Sequence, residues 1–222
     1  PIALEVIDWP VPAPADYRTY IGIYQSPTSV RMQYGFEPWG EQHWRLLGEA
    51  FKLLGRLGNK IVLVHTVENT QFGNERGMIR WIRRPNGTWG HDFSIFERYL
   101  DLAIEHCGKP DYVALQVWHA SNTWGARPAD TRCTVTVQDP GTGKLSSQQV
   151  PLFGTDDAKA FWRPVIDGVL ERLTRRGIDG KGGRLILGIF GESYAPKAVC
   201  SMFQEIVPGG ARWMKGCHRG TD

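Results

Sequence analysis

The sequence predicts an α/β fold in which parallel β-strands alternate with α-helices. Two observations carry this prediction: short apolar runs bounded by turn residues, and amphipathic segments of helical period between them. The 222-residue chain is 41% hydrophobic, which is enough to bury a sizeable core. Alternation of this kind is typical of a closed (β/α)8 barrel or of a doubly wound sheet.

The chain opens with a strand-like segment and a linker. Residues 2–7 alternate between apolar and polar side chains, and the prolines of 9–14 block both helix formation and ladder pairing. We interpret residues 1–14 as the end of an upstream domain followed by that linker. The first strand of the α/β region is predicted at 20–24, where a short apolar run is bounded by Gln25-Ser26-Pro27.

A repeating order of helix and strand follows. A helix is predicted over 41–57, because apolar residues recur there at helical spacing and Gly58-Asn59 forms a C-terminal stop. The later elements are a strand at 60–65, a helix at 92–106, a strand at 112–118, a helix at 155–177, a strand at 184–190, a helix with Pro196 at its first position that extends to 206, and a strand at 211–215. Five strands thus alternate with four helices.

Two insertions interrupt this order, each after the carboxyl end of a strand. Residues 78–92 are predicted to form a hairpin with Asn86-Gly87 in its turn, and Trp81 and Trp89 are expected to pack across its strands. Residues 132–150 alternate again around a second turn and are predicted to form a second hairpin. Because α/β enzymes bind ligands beyond the carboxyl ends of their strands, these elaborated loops favour an active site at that edge.

Composition argues against several classes of partner. The 26 basic and 23 acidic residues are scattered, so the concentrated basic face that nucleic acid requires is not expected. The uncharged apolar runs are far too short to span a bilayer, so no membrane partner is predicted. The four cysteines stand far apart, and no strand is followed by a metal-ligand cluster or a phosphate-binding turn. We therefore predict no metal and no organic cofactor.

The residues that follow the strands are rich in side chains suited to carbohydrate. Sugars present apolar C–H faces and many hydroxyls, so their sites combine aromatic rings with hydrogen-bonding groups. The predicted substrate contacts are Tyr24, His65, Asn74, Trp118, His119, Trp124, Tyr194 and His218. A structural alternative stands beside some of them, because Trp118 and Trp124 suit packing as well as stacking, and isolated histidines are often structural.

Three carboxylates are candidates for catalysis. Glycoside cleavage needs an acid at the leaving oxygen, and Glu192, directly after the strand at 184–190, is the first candidate. Glu75 and Glu68 are the others. The alternatives are structural: Glu192 is also placed to cap the helix that follows, Glu75 to pair with Arg76 or Arg80, and Glu68 to order its own loop.

Three segments, 73–82, 92–103 and 187–197, resemble the barrel domain of bacterial proteins related to glycoside hydrolase family 123. The likeness extends from about Trp9 to His218. It implies a TIM-type (β/α)8 barrel preceded by a β-sandwich, so 15–222 would form its N-terminal part, about five βα units. The partners implied are a carbohydrate substrate and the remainder of the polypeptide. The family resemblance also favours a secreted or periplasmic location.

The resemblance further implies a retaining mechanism in which the sugar's own acetamido group attacks the anomeric carbon. In such enzymes an adjacent Asp-Glu pair orients the acetamido group and protonates the leaving group. This sequence has Gly191-Glu192 at the corresponding place, so the acid is present and the orienting Asp is not. Another carboxylate substitutes, or the substrate is a different glycoside, or the barrel binds carbohydrate without cleaving it. We expect a glycosidase that acts on a complex glycan or polysaccharide; the alternative is a non-catalytic carbohydrate-binding barrel.

Overall fold

The computed structural model describes residues 2–70, 73–119, 133–188 and 195–214. Its α-helices are α1 (Pro27–Tyr34), α2 (Glu41–Arg56), α3 (Ser94–Cys107), α4 (Asp156–Arg175) and α5 (Lys197–Ile206). Its strands are β1 (Ile61–His65), β2 (Arg80–Arg83), β3 (Trp89–Asp92), β4 (Tyr112–Gln116), β5 (Thr134–Gln138), β6 (Leu145–Gln149), β7 (Leu185–Gly188) and β8 (Trp213–Met214). None of these helices combines the length and the apolar character needed to cross a membrane.

A parallel sheet forms the centre of the molecule. Its strands lie in the order β1-β4-β7-β8, and every neighbouring pair is parallel. Helices α3, α4 and α5 connect these strands in turn; α2 packs on α3, and α4 packs on α5. The α/β class is therefore confirmed. Among the described residues the sheet does not close on itself, so the TIM-type barrel stays a prediction.

The regular strand predicted at 20–24 is wrong in part. Ile21 forms an isolated parallel bridge with Asn59, and the Lys60 amide donates to its carbonyl at 2.7 Å. At the next position of this ladder, a side-chain oxygen replaces the main-chain acceptor, because the Ile23 amide donates to Oδ1 of Asn59 at 2.9 Å. The same Asn59 amide donates to the Ile61 carbonyl, so it replaces main-chain pairing beside β1.

Helix α1 was not predicted, although its sequence contains both end signals. The Ser26 side chain accepts from the Ser29 amide at 3.2 Å, and Pro27 occupies the first turn, where its missing N–H costs nothing. Gly35 ends the helix with φ of 66°. Because Ser26-Pro27 directly follows an apolar run, the sequence pattern indicates only the end of a strand there. At α5 the difference is smaller: Pro196 is the cap residue and precedes the first helical position by one.

The two predicted hairpins are confirmed, and they join into one sheet that the sequence did not predict. Its order is β3-β2-β5-β6, with a parallel β2–β5 pair between two antiparallel hairpins. Trp81 packs across the first hairpin on its register partner His91, with ring centroids 5.5 Å apart, whereas the register partner of Trp89 is Arg83. Both tryptophan rings also contact Phe161 of α4, with centroids 5.4 and 5.7 Å away. The tryptophans therefore attach the inserted sheet to the helical layer.

Candidate functional site

The carboxyl ends of β1 and β4 bring together polar side chains at one edge of the parallel sheet. His65 is the last residue of β1, Gln116 is the last residue of β4, and the two are register partners. Both side chains are buried, with exposures of 1% and 0%. Tyr24, on the extended segment beside β1, reaches the same place and is half-buried.

These three residues form a hydrogen-bonded chain. The Tyr24 hydroxyl lies 2.5 Å from Nε2 of His65, and Nδ1 of His65 contacts Oε1 of Gln116. Thr66 holds the Gln116 main chain, because its hydroxyl donates to the Gln116 carbonyl at 2.5 Å. The Met78 amide donates to the His65 carbonyl at 2.8 Å, so the main chain at His65 is tied to the returning loop.

Burial keeps this chain uncharged at neutral pH. It lowers the pKa of His65 to about 4, against which the hydrogen bond with Gln116 acts only partly. Burial also raises the pKa of Tyr24 to about 12, and the side chain of Ser26 offsets a smaller part of that rise. The cluster therefore presents neutral hydrogen-bonding groups, which suit neutral sugar substituents.

The loop after β1 is closed by Asn74. Its Nδ2 donates to the Val67 carbonyl at 2.8 Å, and its Oδ1 accepts from the hydroxyl of Thr70. Main-chain bonds add to this closure, because the Asn69 amide donates to the Asn74 carbonyl at 2.7 Å. Asn74 is buried, and the hydrogen bonds of its side chain lie within the loop.

Glu68 joins the same loop to the inserted sheet. Its Oε1 accepts from the Thr136 hydroxyl at 2.6 Å and from Nη1 of Arg76 at 3.0 Å. Thr136 in turn accepts from the Gly77 amide at 2.9 Å. The carboxylate is fully buried, and its Oε2 has no hydrogen-bond partner in the described structure. The alternative in which Glu68 orders its loop thus has direct geometric support.

Glu75 lies on the surface. It pairs with Arg31 of α1 at 2.9 Å, rather than with the Arg76 or Arg80 suggested by sequence proximity, and its side chain is 60% exposed. The sequence could not supply this partner, because Arg31 belongs to the helix that was not predicted. The pair links α1 to the loop after β1.

The remaining predicted contacts divide into two groups. Trp118 is 1% exposed and belongs to the hydrophobic core, which favours its packing role, whereas His119 is half-buried just beyond β4. Trp124, Glu192, Tyr194 and His218 lie outside the described residues. Within the described part of the chain, no three His, Cys, Asp or Glu side chains gather as a metal-binding group.

Sequence reasoning missed Gln116 and Thr136. Both residues lie in segments that were predicted only as strands. Both are buried and polar, and their hydrogen-bond partners lie in the candidate site or in its supporting loop. A signal existed for Gln116, because a single amide in the apolar run 112–118 requires a buried partner. Thr136 carried no such signal, since threonine is common in strands.

Comparison with solved structures finds a chain with the same fold. It is a family 123 glycoside hydrolase from Clostridium perfringens, solved in a study of the details of glycolipid glycan hydrolysis, with a TM-score of 0.67 and 18% identity. The match covers 92% of this chain and 35% of that chain, so this chain spans little more than a third of its length. No curated protein sequence matches.

The family match covers the geometry described above. Residues 24–186 match the family described as glycoside hydrolase 123, catalytic domain. This region begins at Tyr24, includes His65 and Gln116, and contains the whole inserted sheet. Because the match spans most of the chain, the chain belongs to the glycoside hydrolase 123 catalytic-domain family.

Proposed function

We propose that this chain forms part of a glycosidase that hydrolyses a glycosidic bond in a complex glycan or polysaccharide. The observation that carries the proposal is the Tyr24–His65–Gln116 chain at the carboxyl ends of β1 and β4, inside the region that matches a glycosidase catalytic domain. Ligands of α/β proteins bind at this edge of a parallel sheet. The solved Clostridium perfringens enzyme was studied for its hydrolysis of glycolipid glycans. The similarity of this chain to that enzyme supports a carbohydrate substrate.

In this proposal Glu192 is the general acid. It follows β7 in sequence, and the sheet order places β7 beside β4, on which Gln116 lies. A protonated carboxyl at the leaving oxygen lowers the barrier to cleavage, and a second group must support the positive charge that develops at the anomeric carbon. Tyr24, His65, His119, Trp124, Tyr194 and His218 are proposed substrate contacts. Asn74 and Trp118, which were also predicted as substrate contacts, are buried, and we propose that they support the site by shaping the loop after β1 and the core.

The second group departs from the family pattern, because Gly191 stands where related enzymes have an orienting Asp. Glu68 is an unfavourable replacement, since burial and its bonds to Thr136 and Arg76 already engage its carboxylate. Glu75 is exposed and paired with Arg31. We therefore assign the supporting role to the neutral groups around Tyr24 or to the substrate itself.

A non-catalytic carbohydrate-binding domain is the second candidate. The observation that favours it is the same Gly191, because an acetamido nucleophile without an acidic partner loses stabilisation of its developing positive charge. The hydrogen-bonding groups of the site would be retained in such a protein.

Hydrolysis by the full-length gene product tests the two candidates. A panel of aryl glycosides, including the N-acetylgalactosaminide, is assayed beside the Glu192→Gln variant, with Glu75→Gln as a matched control. We expect a loss of at least ~100-fold for Glu192→Gln, the scale of general acid catalysis, and wild-type rates for the control. Equal rates in all three proteins would remove Glu192 from the mechanism. Binding without hydrolysis of any glycoside would select the second candidate.

A further inference from the structure

Helix α1 ends in a pair of stacked aromatic rings. Tyr34 is the last residue of the helix, and Gly35 reverses the chain with φ of 66°, a conformation that favours glycine. The Arg31 carbonyl accepts from the amides of both Gly35 and Phe36, so the chain folds back on the helix. The rings of Tyr34 and Phe36 consequently lie nearly parallel, with centroids 5.9 Å apart and planes at 14°. We call these two rings the α1 platform.

The α1 platform continues the side of the helix that faces the protein. On that side Val30 packs against the core, and Arg31 pairs with Glu75 of the loop after β1. Tyr34 follows Val30 by four residues and Arg31 by three, so it lies on the same side, one turn further along the helix. The protein no longer covers this side at the last turn, because Tyr34 is 59% exposed.

A buried histidine fixes the segment that carries the platform. The Trp39 amide donates to Nδ1 of His43 at 3.0 Å, and burial lowers the pKa of His43, so the hydrogen of the neutral ring is on Nε2. Nε2 donates to the Pro27 carbonyl at 2.9 Å. His43 is 1% exposed and thus joins the first residue of α1 to Trp39, which has an unusual φ of 62°. The platform therefore lies on a preorganised segment, which lowers the entropic cost of binding.

We infer that the α1 platform is a subsite for a further sugar ring of the glycan, beyond the ring held at the carboxyl ends of β1 and β4. This inference rests on the proposed function and extends it along the substrate. Helix α1 begins three residues after Tyr24, and its Arg31 is paired with the loop after β1, so the platform is continuous with the candidate site. An exposed aromatic ring stacks on the C–H face of a sugar while the sugar hydroxyls stay in water.

The surroundings of the platform suit a sugar better than a lipid chain or a protein. The residues next to the rings in sequence, Gln33 and Glu37, are polar and exposed. The exposed Met32 lies about 200° around the helix from Tyr34, so it does not widen the apolar surface of the platform. Two rings also offer far less than the roughly 800 Å² that each partner contributes to a stable protein interface.

Calorimetric binding of two probes to the full-length gene product tests this subsite, in a Glu192→Gln background that limits cleavage. The probes are methyl N-acetylgalactosaminide and a trisaccharide that ends in the same sugar. We expect the trisaccharide to bind more tightly, and Tyr34→Ala to weaken the trisaccharide alone by roughly three- to tenfold, the scale of one aromatic contact. Tyr34→Phe keeps the ring and should bind both probes as the background protein does. Tyr20→Ala is the matched control, because Tyr20 is 57% exposed but contacts Tyr112 at the opposite end of the strands, and it should change neither affinity.

Hydroxyl-radical footprinting gives a second readout, in which the trisaccharide should protect Tyr34 from oxidation and leave Tyr20 reactive. A trisaccharide that binds no more tightly than the monosaccharide, an unchanged affinity in Tyr34→Ala, or equal losses for both probes would overturn the subsite and leave the proposed function standing. Failure of the background protein to bind either probe would overturn both. A dodecyl glycoside that bound more tightly than the trisaccharide, and lost that advantage in Tyr34→Ala, would assign the platform to a lipid chain and overturn the sugar subsite.

Discussion

His91 shows how burial of a single side chain makes this fold sensitive to acid. Burial, and to a smaller extent the charge of Arg84, lowers the pKa of His91 to about 4. Its ring meets Trp81 edge-on at 5.5 Å, and its Nε2 has no hydrogen-bond partner among the described residues. A proton on this imidazole would thus be placed against an aromatic core with no acceptor to stabilise it.

The pH dependence of stability follows from that depressed pKa. Above about pH 6.5, the ordinary pKa of histidine, His91 is neutral in both states. Between that value and about pH 4 the unfolded chain takes up a proton that the folded chain refuses, so the free energy of unfolding falls as the pH falls. We expect His91→Phe, which keeps an aromatic ring, to reduce the pH dependence of the free energy of unfolding in this range by up to about 1.4 kcal/mol per pH unit. Urea unfolding from pH 7 to pH 4 measures it, and identical slopes in both proteins would contradict it.

Glu68 is a buried carboxylate and Glu75 an exposed one, so substitution of each shows how burial changes the contribution of a carboxylate to stability. Glu68→Gln leaves amide hydrogens in a fully buried position and weakens the bonds to Thr136 and Arg76, so we expect a loss of ~1–3 kcal/mol in the free energy of unfolding. Arg76 is partly exposed, which favours the lower part of that range. Glu75→Gln breaks an exposed pair and should cost less than ~1 kcal/mol. Chemical denaturation of both variants measures the difference, and equal losses would deny Glu68 its structural role.

At the scale of elements, the local sequence pattern predicted the helices and turns, which depend on neighbouring residues. It did not predict the strand pairings that depend on segments distant in sequence. The helices at α2, α3 and α4 follow from apolar spacing, and Thr155 marks the start of α4, where its hydroxyl accepts from the Ala158 amide at 3.3 Å. The turn at Asn86-Gly87 likewise fixes the first hairpin, with φ of 81° at Gly87.

The pairing of β2 with β5 had no local signal. Among the described residues, two register pairs join the hairpins, Trp81 with Val137 and Ile82 with Gln138, and the members of each pair lie more than fifty residues apart in sequence. For the candidate site, Tyr24 and His65 were predicted because each follows an apolar run. Their hydrogen-bonded contact, and the part of Gln116 in it, depend on the register of β1 against β4.

The attachment of the inserted sheet to α4 makes a prediction at this scale. Trp81 is fully buried, stacks on Phe161 and meets Trp162 edge-on at 5.6 Å, whereas Trp89 is only partly buried. We expect Trp81→Ala to lower the free energy of unfolding by ~3–5 kcal/mol. Trp89→Ala, the matched control on the same hairpin, should cost about 1 kcal/mol. Comparable losses for the two variants would show that the sheet is not attached through Trp81.

At the scale of the whole molecule, the described residues leave an edge of the parallel sheet unpaired and the first residues exposed. Among the described residues β8 is an edge strand of two residues, Trp213 and Met214, and the sheet does not close. A closed barrel satisfies its edges, so we propose that residues 15–222 form the N-terminal part of a barrel that further polypeptide completes. We likewise propose that residues 1–14 belong to an upstream β-sandwich and its linker.

The N-terminal segment makes the last proposal testable. Ile2, Leu4 and Val6 occupy alternate positions in the sequence and are 97%, 86% and 88% exposed. Apolar residues in such alternation are typical of a strand that covers a core, and within the described residues nothing covers them. We expect the double variant Leu4→Asp, Val6→Asp to leave the unfolding of the 222-residue chain unchanged. In the full-length gene product it should destabilise the upstream domain by ~3 kcal/mol or more, since each buried side chain contributes about 1.5–3 kcal/mol. Thermal unfolding of both proteins measures this, and an unaffected full-length protein would show that these side chains are exposed there too.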